Sequence, residues 1–177
     1  MVSSPMVHKN KPLGSTKIQV FINLGDFIIV DTALVISTVL GSCVAVCLFD
    51  ESNGIAGMNH FLLPKNLSGK EPSQEKISSR YGTVAMEKLI KGMLDLGANK
   101  SSLKAKVFGG SSLIQNSQKA TIPIGQANIQ FALEFLRTEN ISIVSQDVGG
   151  SAGRLIRFDT ATFDVWKKSL NKSLLTD

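Results

Sequence analysis

Two cysteines and two histidines are the side chains in this sequence best suited to covalent chemistry, and their surroundings differ. Cys43 stands in Leu40-Gly41-Ser42-Cys43-Val44, where a β-branched strand over Ala33 to Thr38 gives way to a glycine-containing turn before another strand begins. A nucleophile on such a turn is presented outward, and Gly41 lets the backbone bend so that N–H groups near Ser42 and Cys43 face a developing oxyanion. That arrangement suits acyl transfer. Cys47, inside the apolar run Val44-Ala45-Val46-Cys47-Leu48, reads instead as a small buried hydrophobe. The candidate base is His60, in Gly57-Met58-Asn59-His60-Phe61-Leu62-Leu63-Pro64, seventeen positions after Cys43. That interval holds one strand, a turn and a returning antiparallel strand, which would set the two side by side at a sheet edge. An imidazolium there would stabilise a thiolate and draw the cysteine pKa down from about 8.5. A histidine among apolar neighbours also reads as a hydrogen-bonded core residue, and both readings stay open. His8, in the polar leader, reads as solvated.

The elements that must position these residues are legible as patterns. Residues 1–15 form a leader rich in Ser, Pro, Lys and Asn with no apolar period, expected to be flexible. Short β-branched runs follow at Lys17 to Asn23, Asp26 to Asp31 and Ala33 to Thr38. Two more, Val44 to Phe49 and Ile55 to Leu62, are joined by Asp50-Glu51-Ser52-Asn53-Gly54, a hairpin connection ending in Asn-Gly. Lys65 to Ser79 is polar and reads as a surface loop of the length often found in functional lids. From Arg80 to Ala98 the period becomes helical: Ala85, Met86, Leu89, Ile90, Met93 and Leu96 share a face, Glu87 is placed to pair with Lys91, and Gly97 ends the helix. A second helix is expected after Pro123, with Ile124, Asn128, Phe131, Ala132 and Phe135 on its stripe. Strands are expected at Ala105 to Phe108, Ile141 to Gln146 and Leu155 to Asp159, and Val165 to Leu174 reads as a short helix or a tail.

Composition narrows the function classes. The chain has 177 residues, 43% hydrophobic and 19% charged, which fits one folded domain with a continuous core. The basic residues behind the net charge of +5 are scattered, and one Trp and one Tyr offer little for base stacking, so nucleic-acid binding is not expected. The apolar stretch Leu34 to Phe49 is interrupted by Ser37, Thr38, Gly41 and Ser42 and is too short for a membrane span. With two cysteines and no apolar targeting segment near the start, a cytoplasmic protein with reduced thiols is expected. Four zinc ligands are not in prospect when one of the two histidines lies in the leader. The glycine-rich pieces Phe108-Gly109-Gly110-Ser111, Ile124-Gly125 and Asp147-Val148-Gly149-Gly150 lack the Gly-Lys-Ser/Thr of a phosphate loop and read as tight turns.

Six segments in order resemble the chemoreceptor glutamine deamidase family, CheD. They are Leu40 to Val46, Met58-Asn59-His60 with Leu63-Pro64, Arg80-Tyr81-Gly82, Ala105 to Gly110, Ile124-Gly125 with Asn128, and Asp147 to Gly150 with Gly153-Arg154. The resemblance spans residues 17–165 and implies a single α+β domain over 16–166, with layered β-sheets packed against helices as in cysteine hydrolases, and a C-terminal tail or short helix over 167–177. It implies conversion of selected receptor glutamines to glutamate with release of ammonia through a Cys thioester, without metal or organic cofactor. Cys43 and His60 match the family's catalytic pair, with Gly41 and Ser42 at the oxyanion turn. The third family residue is a threonine upstream of the cysteine, which falls on Thr38 or, in ungapped register, on Ser37. Implied partners are the cytoplasmic domains of chemoreceptors and, in some bacteria, the CheY-phosphate phosphatase CheC. Two alternatives remain: a non-catalytic adaptor binding receptors or CheC, and a cysteine peptidase, which would need a long cleft.

Overall fold

The computed structural model describes residues 17–62, 81–112 and 123–170. The expectations of a leader over 1–15 and a lid-like loop over 65–79, and residues 171–177 of the tail or short helix expected over 167–177, lie outside them. In chain order the elements are β1 (Ile18–Phe21), β2 (Phe27–Val30), β3 (Leu34–Leu40), β4 (Val44–Asp50), β5 (Ile55–Phe61), α1 (Gly82–Asp95), β6 (Lys104–Gly109), α2 (Ile124–Thr138), β7 (Ser142–Val148), β8 (Gly153–Asp159) and β9 (Val165–Leu170). They make a four-stranded sheet in the order β1-β3-β8-β9 and a five-stranded sheet in the order β2-β5-β4-β6-β7. The fold is α+β, with sheets packed against helices.

The five-stranded sheet is the middle layer, and strand β4 shows why. All seven of its residues are buried, because it lies at the centre of a sheet covered on both faces. Val44, Val46 and Leu48 point to one side, where Met86, Leu89 and Met93 of α1 and Ala132 and Leu136 of α2 meet them. Ala45, Cys47 and Phe49 point to the other, against Ile36 and Leu40 of β3 and Phe158 of β8. A period of two splits one apolar run between two cores. The hairpin read at Asp50 to Gly54 is present, with β4 and β5 antiparallel and Ala45 paired to His60.

Asn59 ties the middle layer to the helices. It is fully buried on the helix side of β5, where its Nδ2 donates to Ala85 O at 3.1 Å and its Oδ1 accepts from Val46 N at 3.0 Å.

Several local expectations are corrected. Val165–Leu170 is a strand on the edge of the four-stranded sheet, not a helix or tail, because antiparallel pairing with β8 satisfies its backbone. Strand β3 runs two residues beyond Thr38, to Leu40. Leu96, placed on the buried face of α1, is 42% exposed beyond the last helical residue, and Lys91 pairs with Asp95 rather than Glu87. The buried stripe of α2 is Gly125, Asn128, Ile129, Ala132 and Leu136, with Ile124 exposed at the helix start.

Replacing Asn59 with alanine removes the acceptor for Val46 N and the donor to Ala85 O. Urea unfolding of Asn59→Ala should show a loss of about 1–3 kcal/mol; a loss near zero would mean that β5 and α1 hold together by apolar packing alone.

Candidate active site

His60 sits near the end of β5 on the face turned toward the four-stranded sheet, and Thr38 of β3 comes to meet it. Thr38 Oγ1 lies 2.9 Å from His60 Nδ1 and donates its proton to Ile22 O at 2.8 Å. A hydroxyl has one proton, so at the imidazole it can only accept, and Nδ1 is the protonated ring nitrogen. The lone pair is thereby placed on Nε2, a buried atom with no hydrogen-bond partner among the described residues. Ser37 points to the opposite face of β3, as alternation along a strand requires, and its buried Oγ has no partner among the described residues. Of the two hydroxyls left open by the sequence, Thr38 is the one that faces His60.

Cys43 immediately precedes β4 and is half-buried against the inter-sheet core, the side to which His60 also points. Ala45 is directly opposite His60, so Cys43, two residues earlier on the same face, is a diagonal cross-strand neighbour. Such neighbours are roughly 7–8 Å apart at Cα and closer at the side chains. The backbone amides of Gly41 and Cys43 favour its thiolate form. Ser42, placed by the resemblance at the oxyanion turn, also contributes a carbonyl to the support of that turn. Cys47 is fully buried in β4, as its apolar context implied.

The turn is held by its carbonyls. Gly41 O accepts from Ser111 N at 2.8 Å, Ser42 O from Asn128 Nδ2 at 3.0 Å, and Cys43 O from Gly110 N at 2.7 Å. The glycine-rich pieces make this approach possible. A Cβ on Gly109, whose φ is +111°, would stand 2.2 Å from Cys43 O, and one on Gly125 would stand 2.4 Å from Gly110 O. Behind them, Gly149 N donates to Gly109 O at 2.9 Å, and Arg154 donates to Asp147 and to Gly149 O, clamping the loop after β7. Reading these glycines only as tight turns missed that they support Cys43. The spacing of Gly-Gly after one strand against Gly at the start of a helix was the available clue.

Burial sets the charge state. It pushes the Cys43 thiol above its ordinary range despite the two amides that favour its thiolate. It also pushes His60 down to about 4, outweighing the Asp26 carboxylate and the Ile22 carbonyl. The thiolate–imidazolium pair expected from adjacency is therefore not the resting state. At neutral pH both groups are uncharged, because the desolvation cost of each ion exceeds the stabilisation its neighbours supply. Among the described residues no group of three or more His, Cys, Asp or Glu is placed to hold a metal, and no helix is long and apolar enough to cross a membrane.

The family model described as CheD chemotactic sensory transduction matches residues 62–169. The chain belongs to the CheD family. A Geobacter sulfurreducens protein named "Probable chemoreceptor glutamine deamidase CheD 1" is 42% identical over 156 residues, covering 85% of this chain and 78% of that one. Proteins with the same descriptive name from Anaeromyxobacter dehalogenans and Trichlorobacter lovleyi are 38% and 47% identical, covering 90% and 72% of this chain and 89% and 75% of their own. The family-model match begins two residues after His60, so it does not include Thr38, Cys43 or His60. An alignment over 85% of a 177-residue chain cannot avoid that stretch, and the Geobacter CheD protein therefore aligns across the site.

The depressed pKa of His60 carries a stability consequence. Between 6.5 and about 4 the unfolded chain takes up the proton and the folded one does not, so stability falls as pH falls through that window. The His60 contribution is about 3 kcal/mol. Urea unfolding at pH 6.5 and pH 4 should show this loss in the wild type and a loss smaller by that amount in His60→Gln. Equal losses in both proteins would place the titrating group elsewhere.

Proposed function

We propose that this CheD protein is a protein-glutamine deamidase acting on the cytoplasmic domains of chemoreceptors. The observation that carries the reading is the His60–Thr38 bond, which fixes the tautomer that leaves Nε2 as an unpaired base on the face shared with Cys43. The names of its relatives supply the substrate class, and the cysteine-hydrolase architecture implied by the family resemblance belongs to the same reading. CheC enters only as the second partner that the resemblance implies.

Starting from a neutral pair, His60 Nε2 takes the Cys43 proton as the sulfur attacks the side-chain carbonyl carbon of glutamine. The Thr38 hydroxyl holds the ring throughout. Amides of Gly41 and Cys43 receive the negative charge that develops on oxygen, where preorganised donors act most strongly. His60 then gives its proton to the departing nitrogen, ammonia leaves, and a thioester remains. Water attacks the thioester while His60 takes its proton and returns it to sulfur, so that amide and water become acid and ammonia. No cofactor is consumed. The adaptor alternative leaves the oriented, unpaired base unused, and no observation favours it.

Incubation with receptor cytoplasmic fragments, followed by mass spectrometry, should reveal glutamine-to-glutamate conversion at selected sites. Cys43→Ala should abolish it, whereas Cys47→Ala should mainly lower the melting temperature. Wild-type protein that leaves every receptor glutamine intact would leave binding as the function.

A separate comparison addresses the hydroxyl. Thr38→Val keeps the shape of the side chain and removes the acceptor, so it should slow deamidation by about 10²-fold or more, the range of a misplaced general base. Ser37→Ala should retain the wild-type rate. Slowing confined to Ser37→Ala would reverse the assignment.

A further inference from the structure

Of the three hydrogen bonds that hold the Cys43 turn, two come from backbone N–H groups and one from a side chain. Ser111 N and Gly110 N hold Gly41 O and Cys43 O, and Asn128 Nδ2 holds Ser42 O between them. The peptide unit is planar and trans, so its carbonyl and the following N–H point in opposite directions. Fixing Ser42 O therefore fixes the direction of Cys43 N–H, one of the two backbone amides that favour the thiolate.

Asn128 is an unusual occupant of its site. It is fully buried on the stripe of α2 that packs against the middle sheet, among Gly125, Ile129 and Ala132. Its Oδ1 has no partner among the described residues. A buried carbonyl oxygen without a donor is costly, and an apolar residue of similar volume would serve packing alone better. Only the Nδ2 end has a bond, and that bond goes to the Cys43 turn.

We propose that Asn128 is a positioning residue for the deamidation step: by holding Ser42 O, it sets the 42–43 peptide plane so that Cys43 N–H points at the oxyanion site. It touches neither substrate nor the reacting atoms and acts through one peptide unit. Close contact between Gly125 and Gly110 docks the first turn of α2 against the glycine turn after β6, which holds Asn128 in place. The inference rests on the deamidase reading for its kinetic consequence, while its geometric core concerns Cys43 alone.

The test uses the full chain with Asn128→Ala and Asn128→Asp, both of which remove the donor, the second at nearly constant shape. Three quantities are read: kcat and KM on a receptor cytoplasmic fragment, the pH profile of Cys43 alkylation by iodoacetamide, and the melting temperature. A positioning role predicts a fall in kcat of about 10²-fold, as when an oxyanion donor is lost, with KM changed by no more than about twofold. It also predicts an alkylation profile displaced to higher pH, since the sulfur loses an aligned amide. Folded variants with wild-type kcat and an unmoved alkylation profile would overturn the proposal, as would a change in melting temperature alone. Wild-type protein that makes no glutamate would defeat the deamidase reading, and the alkylation profiles would still decide the role of Asn128. Should neither variant fold, the 15N-labelled wild type decides. The Asn128 side-chain amide resonances should shift as the Cys43 thiol titrates, and stationary resonances would overturn the proposal.

Discussion

Three consecutive carbonyls, those of Gly41, Ser42 and Cys43, each receive a hydrogen bond from the far side of the turn. With these oxygens all bonded, the peptide planes of the turn are held, and the N–H of Cys43 keeps its direction. The surrounding glycines serve that constraint: Gly109 and Gly125 let strand, turn and helix approach to distances at which any Cβ would collide. Arg154 and the loop after β7 secure the same region from behind. The middle sheet supplies Cys43 and His60, the outer sheet supplies Thr38, and α2 supplies Asn128. All three layers therefore meet at one short turn.

The inter-sheet bond from His60 to Thr38 solves a second problem. A buried imidazole can adopt either tautomer, and only one leaves a base available at Nε2. Because Thr38 gives its proton to Ile22 O, the hydroxyl is an obligate acceptor toward the ring, and the choice is made by backbone geometry. Burial then keeps the imidazole neutral well below its ordinary range. Orientation and protonation state thus follow from two neighbouring facts of packing, with burial outweighing the Asp26 carboxylate.

Much of this was legible in the sequence, for identifiable reasons. The strands of the first half announced themselves through β-branched runs, α1 through its apolar period, and the β4–β5 hairpin through Asn-Gly. Cys43 and His60 stood out because a reactive side chain beside a glycine turn, and a histidine one hairpin later, form a local pattern. Thr38 and Ser37 could not be separated without knowing which face of β3 turns inward. The roles of Asn128 and Ser111 were out of reach for a different reason: Asn128 is 86 residues from Ser42, and a one-dimensional pattern carries no information on that contact. The final strand was missed because Trp166-Lys167-Lys168-Ser169 has little apolar alternation, and its edge position tolerates that polarity. Desolvation likewise leaves no mark in the spacing of Cys43 and His60, and the charge state expected from their adjacency was the reverse of the one burial imposes.

Burial of the cysteine has a further consequence, for oxidation. Peroxide attacks the thiolate far faster than the thiol, so a sulfur held protonated at rest is shielded for as long as it keeps its proton. The shielding matters because Cys47, the only other thiol, is fully buried and lies along the same strand direction, about 13 Å away in extended chain. No disulfide can bridge such a gap. A sulfenic acid formed at Cys43 would have no resolving partner within the chain and would depend on a small external thiol for its return. A resting thiol kept neutral is thus the protection open to a cysteine whose only companion in the sequence is out of reach.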